Sequence, residues 1–350
     1  MNGVLPIQHL RALARDGAIT GDPAPEQFQP ASLDLTLGDE AIRLRASFLP
    51  GDRAVSERLP QFEMHRVDLT RGAVLEKGCV YLVPLREGLA LPAAVSGSAN
   101  AKSSTGRLDL LTRLIVDRGT EFDRIPPGYA GPLYAEICPR SFSVLARTGV
   151  ALSQMRLTEG DAALDDDALT QLNEAQPLLD RSVRMDGGLP FSVDMTPNDE
   201  GIAGWRARPH SGVVDLDRRD HDPAEFWEPV TPKGGGIVLD PGAFYILVSR
   251  EAVRIPPLYA AEMAPYLALA GEFRVHYAGF FDPGFGHDVP ARGVLEVRCH
   301  EAPFALEHGQ SVGRLIFERM IEAPETLYGS GIGSNYAGQG LKLSKHFASP

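Results

Sequence analysis

Apolar residues come in short runs along this chain, not in long helical stripes. "VLEKGCVYLVPLREGLALP" (Val74 to Pro92) and "VLDPGAFYILVSREAVRIP" (Val238 to Pro256) are rich in Val, Leu, Tyr and Phe and are bounded by Gly and Pro, the composition of short strands. Helical periodicity is confined to "IQHLRALARDG" near the start and "DDALTQLNEAQPLL" from Asp166 to Leu179. The pattern predicts a mainly β protein of compact barrels or clips, without a parallel sheet.

The order of these runs repeats. Val74–Pro92 aligns with Val238–Pro256 at an offset of 164, placing Gly78 on Gly242, Tyr81 on Tyr245, Glu87 on Glu251 and Pro92 on Pro256. Further along, Glu136 in "LYAEI" aligns with Glu296 in "VLEVR", and Gly149 with Gly309. "SLDL" (Ser32 to Leu35) finds an echo in "VVDL" (Val213 to Leu216). Retained order across separate motifs identifies a divergent tandem repeat. The expected organisation is a first β domain over 1–157, an acidic connector over 158–200 and a second β domain over 201–350.

A chain of 350 residues with 43% hydrophobic content can bury a core in each domain. The formal net charge of -12 argues against a nucleic-acid or membrane-surface partner, although a local cluster of donors can still take a phosphorylated small molecule. Cys79, Cys138 and Cys299 are far apart and odd in number, which fits no disulfide framework and suggests a reducing, cytoplasmic setting. The segment "MNGVLPIQHLRALARDG" has no long apolar run, so neither a secretory leader nor a membrane span is expected.

Three clusters carry candidate chemistry. In "AKSSTGRLDL", Ser103, Ser104 and Arg107 follow Lys102; hydroxyls and loop amides can cradle phosphate oxygens, and an arginine grips two at once. In "HYAGFFDPGFG" (His276 to Gly286) an Asp-Pro-Gly turn presents Asp282 beside Phe280, Phe281 and Phe285. The carboxylate can accept a hydrogen bond from a hydroxyl, and the rings offer apolar walls beside it. The first copy keeps only "RIPPGYAG", with Pro126 at the Asp position. Glu296 lies in an apolar strand, where burial raises a carboxyl pKa and suits proton transfer near neutral pH. Glu136 has the same setting and reads either as a second acid–base group or as the partner of an arginine. Zinc-dependent nucleobase deaminases need a His or Cys beside a Glu and a Pro-Cys-x-x-Cys pair, whereas "ICPRS" and "VRCHEAP" supply single cysteines.

Together with "QPASLDLTLGD" (Gln29 to Asp39), "GVLEV" and the C-terminal "LYGSGIGSNYAGQGLKLSKHF", these motifs resemble the deoxycytidine triphosphate deaminase family of the dUTPase-like β-clip fold, in a double-length form with two fused copies. The resemblance touches most of the chain outside the connector. It implies tandem distorted β-barrels with few short helices, and hydrolytic deamination of dCTP to dUTP and ammonia without zinc. By resemblance, Lys102, Ser103, Ser104 and Arg107 meet the triphosphate. Ala278 and Asp282 join them as substrate-binding positions, and Tyr328, Tyr336 and Gln339 reach the nucleotide from the tail. Glu296 and Glu136 are the catalytic candidates. Lys102 stands where the family usually has an arginine, and Asn335 where it has a lysine, with Lys342 or Lys345 as substitutes.

Magnesium is expected only as a rider on the triphosphate. The serine–arginine loop survives in the first copy alone, and Asp282 and the tail in the second alone, so a composite site is expected. A homo-oligomer such as a trimer is expected as well. Two alternative activities stand beside deamination: an enzyme that also cleaves dUTP to dUMP, and a nucleotide-binding regulator without turnover.

Overall fold

The computed structural model describes residues 2–265, 273–276, 279–329 and 340–349. It is mainly β, with a few short helices, and each half carries the same two sheets. In the first half, Ala151–Glu159 lies between Val95–Ala101 on one side and Leu33–Thr36 and Gly3–Val4 on the other. The larger sheet runs Glu63–Asp68, Glu40–Leu44, Val80–Ala90, Ala130–Pro139, Leu110–Val116. The second half repeats this order. Leu189–Ser192, Ser311–Arg319, Tyr259–Pro265 and Phe280–Phe281 form one sheet, and Trp227–Val230, Gly204–Ala207, Phe244–Val253, Ala291–Cys299 and Phe273–His276 the other. These two sheets of each half are antiparallel throughout. Among the described residues no helix is long and apolar enough to cross a membrane.

Strand register shows how closely the copies correspond. Glu136 pairs with Leu82, and Glu296 pairs with Ile246, the residue 164 positions after Leu82. Glu87 accepts hydrogen bonds from the Thr36 amide at 2.8 Å and its hydroxyl at 2.6 Å; Glu251 accepts the same pair from Ser192 at 2.8 and 2.5 Å. Buried carboxylates are retained where such donors satisfy them. The counterpart of Leu33–Thr36 is therefore Leu189–Ser192, which corrects the expected echo at Val213 to Leu216. Val214–Asp215 instead pairs in parallel with Val144–Ala146 of the first half. Four similar letters misled because apolar–acidic alternation recurs in unrelated strands, whereas the hydrogen-bonding Thr or Ser identifies the true partner.

The acidic stretch 158–200 is built into the second half. Asp165 caps the helix Asp166–Ala175 by accepting from the Ala168 amide at 2.8 Å. Leu169, Leu178, Leu189 and Phe191 from this stretch are fully buried in the second-half core.

Between the halves lies a third core that draws on both. It joins Leu108, Leu110 and Phe142 of the first half to Trp227, Phe244 and Val294 of the second, with Leu343 and Phe347 of the C-terminal segment. Phe347 packs edge-on against Phe142 and Trp227, 6.5 and 5.8 Å between ring centres. Phe347→Ala is expected to destabilise the chain by about 3–5 kcal/mol, measured by urea unfolding. A loss below about 1 kcal/mol, the scale of a surface change, would show that the tail is not part of this core.

Candidate functional site

Side chains on a strand alternate in direction, so residues two apart share a face. On Ala291–Cys299, Leu295, Val297 and Cys299 enter the second-half core. Val294, Glu296 and Arg298 take the opposite face, where Val294 joins the core between the halves. Two ion pairs form on that face. Arg107 Nε lies 3.9 Å from Glu296 Oε1, and Arg298 Nη1 donates to Asp109 Oδ2 at 3.0 Å. All four residues are buried. Burial pushes the Glu296 carboxyl up to about 8, against the pull of the Arg107 guanidinium.

The loop that delivers Arg107 is a single helical turn, Ser103–Gly106. The Lys102 carbonyl accepts from the amides of Thr105 and Gly106 at 2.8 and 2.9 Å. Its exit is tight: Asp109 adopts φ 53°, a left-handed conformation that Asp tolerates better than most residues. Ser141 and Arg298 both donate to its carboxylate. The C-terminal segment lies along the same loop. Arg107 donates to the Lys342 carbonyl at 3.0 Å, and Ser344 to the Ser104 carbonyl at 2.7 Å.

The second-half turn closes the other side. Asp282 O accepts from the Phe285 amide at 3.0 Å, and Gly284 takes φ 94° where a Cβ would sit 2.8 Å from that of Leu327. The first-half turn has the same form, with Pro126 O accepting from Tyr129 at 3.2 Å and Gly128 at φ 68°. The backbone of the turn is thus common to both copies, and only the second presents a carboxylate. Tyr328 packs on the turn. Its amide donates to Pro283 O at 2.9 Å, and its ring centre lies 5.5 Å from that of Phe285.

Two groups that the sequence did not single out complete the arrangement. Arg156, fully buried on Ala151–Glu159, reaches across to Asp282 at 3.3 Å and Glu318 at 2.8 Å. Asp34, in the "SLDL" strand, is ion-paired with Lys102. Burial raises the Asp34 carboxyl against the pull of Lys102, and burial lowers Lys345, with Lys102 and Arg219 adding to that depression. Arg156 had a visible signal, since it is a cation between Met155 and Leu157 at a position whose repeat partner is the apolar Ile316.

The candidate residues therefore sort into groups. Arg107 and Glu296 meet between the halves within one chain, and Lys102 acts on Asp282 from across the same boundary; Ser103 and Ser104 stand on the turn that delivers Arg107, and Tyr328 on the Asp282 turn. Arg107, read from sequence as a phosphate grip, lies beside Glu296. Glu136 is elsewhere, ion-paired with Arg113 of its own half, whose guanidinium lies 3.6 Å from the ring centre of Phe122. Leu82, which pairs with Glu136, and Tyr134, two residues before it, belong to a first-half cluster with Phe48, Phe62 and Phe122. Ala278, Tyr336 and Gln339 lie outside the described residues, as does Asn335.

These features define tandem dUTPase-like halves with buried polar groups paired across the boundary between them. Comparison with known proteins agrees. Residues 1–161 match the 2'-deoxycytidine 5'-triphosphate deaminase N-terminal domain, and residues 165–347 the C-terminal domain. The crystal structure of 2'-deoxycytidine 5'-triphosphate deaminase from Agrobacterium tumefaciens superposes with a TM-score of 0.90 at 52% identity, covering 95% of this chain and 99% of that one. A dCTP deaminase of Natronomonas pharaonis is 30% identical over 188 residues, 53% of this chain and 86% of that protein. A dUMP-forming dCTP deaminase of Corynebacterium glutamicum is 36% identical over 110 residues, 30% of this chain, and the match spans 56% of that protein's length. The chain belongs to the 2'-deoxycytidine 5'-triphosphate deaminase family, and it is an enzyme.

The raised Glu296 carboxyl has a consequence for stability. Its ordinary value is 4.5 and its folded value about 8. Between these, the folded chain holds a proton that the unfolded chain has released, so the group's contribution to stability falls as pH rises through that window. Glu296→Gln removes the penalty. The melting-temperature difference between variant and parent is expected to move in the variant's favour from about pH 5 to about pH 8. A difference that stays constant with pH would contradict the buried, proton-holding Glu296.

Proposed function

We propose that the chain deaminates dCTP at one composite site per chain, where first-half Ser103, Ser104 and Arg107 face second-half Asp282 and Glu296. The observation that carries this reading is the buried approach of Arg107 to Glu296 at 3.9 Å. It brings the serine–arginine loop, which only the first copy keeps, to the strand glutamate of the second. Lys102, Ser103 and the cations near them, Lys345 and Arg219, take the triphosphate. Magnesium arrives as part of that substrate.

The chemistry needs one group that gives and takes protons at C4 of cytosine. In its ionised form Glu296 removes a proton from water, and the hydroxide adds to C4. The carboxyl returns the proton to N3. It then takes the proton of the new hydroxyl and passes it to the amino group, so that the C4–N bond breaks and ammonia leaves with a carbonyl at C4. A carboxyl poised near 8 can serve in both directions. Arg107 steadies its ionised form, and the apolar walls of Phe280, Phe281 and Phe285 exclude water from the sugar. The sum is dCTP and water to dUTP and ammonia.

A second reading adds cleavage of dUTP to dUMP in the same protein. Its support is that relatives from Corynebacterium glutamicum and Beutenbergia cavernae are named dUMP-forming. Product analysis separates the two: dUTP and ammonia on one reading, dUMP with pyrophosphate on the other.

Glu296→Gln is expected to lower deamination of dCTP by roughly 10²-fold or more while nucleotide binding survives. Glu136→Gln is expected to keep the rate within a few-fold. An ammonia-release assay that finds Glu296→Gln active and Glu136→Gln inactive would transfer the catalytic role to the other copy.

A further inference from the structure

Arg156 touches Phe280 and Asp282 of the second-half turn segment and the strand paired with it. It is fully buried, although it belongs to the first half. Its Nη2 donates to Asp282 Oδ1 at 3.3 Å, and its Nη1 to the Ala261 carbonyl at 3.2 Å, on the residue paired with Phe281. The guanidinium carbon lies 4.1 Å from the ring centre of Phe280. Glu318 holds the same Nη1 at 2.8 Å. The matching position of the second copy carries Ile316, so this cation serves a single junction.

An arginine in this place does two things. A buried carboxyl without a cation takes up a proton, and a protonated carboxyl presents a donor to a hydroxyl instead of two acceptors. Burial raises the Asp282 carboxyl; Arg156 is the main opposing influence, with Asp34 adding to the rise and Lys102 pulling against it. By engaging Oδ1, the guanidinium also leaves Oδ2 for a ligand. By lying against Phe280, it fixes the plane of the ring next to the carboxylate.

A 2′-deoxyribose in a triphosphate has one free hydroxyl, at C3′. We infer that Arg156 is the positioning residue of the sugar pocket, anchoring Asp282 and Phe280 so that a 3′-hydroxyl is required and a 2′-hydroxyl is refused. This inference rests on the proposed reading of Asp282 as the sugar acceptor.

The test compares kcat/KM for dCTP, 2′,3′-dideoxycytidine triphosphate and CTP. A site built to bond a hydroxyl rejects the analogue lacking it. Arg156→Gln is expected to cut the preference for dCTP over the dideoxy substrate by about tenfold or more, mainly through KM for dCTP, and to relax rejection of CTP. Asp282→Asn is expected to remove the dideoxy preference, and Arg156→Gln in that background to remove nothing further. If Asp282→Asn leaves the preference intact, the reading of Asp282 fails. If Asp282→Asn removes it while a folded Arg156→Gln retains it, the inference about Arg156 fails and its role is structural. Should Arg156→Gln not fold, Arg156→Lys keeps the charge but cannot span Glu318 and Asp282 together. A reduced dCTP preference in that variant supports the inference, and parental selectivity overturns it.

Discussion

Buried charge at the junction between the halves is the constraint on which the rest depends. Arg107 faces Glu296, Asp109 faces Arg298, and Arg156 faces Asp282 and Glu318. Each ion has its counter-ion in the other half. Taking such groups out of water costs several kcal/mol apiece, and removing one partner leaves the other stranded at a cost of about 3–5 kcal/mol. The halves are therefore held in one register. A slip by one strand residue would turn Glu296 and Arg298 away from their partners, because neighbours on a strand point to opposite faces. The aromatic core around Trp227 and Phe347 supplies attraction, and the ion pairs select the alignment.

The same constraint explains how two similar halves came to do different work. Both present a glutamate at the same place in the same strand. Glu296 looks out onto the other half and meets Arg107 there. Glu136 lies beside a first-half aromatic cluster and is tied to Arg113. Both build the same Pro-Gly turn, but only Asp282 extends a carboxylate from it. On the proposed reading, duplication lets each copy supply part of one site, and the glutamate not used is tied to an arginine of its own half.

Much of this was legible in the sequence because the repeat preserves residues with a physical task. Glycines at positive φ, the Glu87 and Glu251 acceptors and the paired turns keep their spacing in both copies. The complementary loss of the serine loop and of the aspartate pointed to a shared site. Other features are set by contacts that are distant along the chain. The acidic look of 158–200 suggested a linker, yet a few leucines and Phe191 anchor it. Asp34 and Arg156 acquire their meaning only from Lys102 and Asp282, 68 and 126 residues away. Glu136 and Glu296 look alike in sequence, since what covers each strand face lies in a different segment.

The central claim is that one chain contains one complete site. Mixing two inactive variants, Arg107→Ala and Glu296→Gln, tests it most directly, after co-unfolding and refolding to allow any subunits to exchange. Each chain then carries one damaged half of its own site. The account predicts that the mixture releases no more ammonia from dCTP than either variant alone. Recovery toward a quarter or more of the parental rate, roughly the share of intact sites expected from random pairing between chains, would show that Arg107 and Glu296 meet across subunits and not within one.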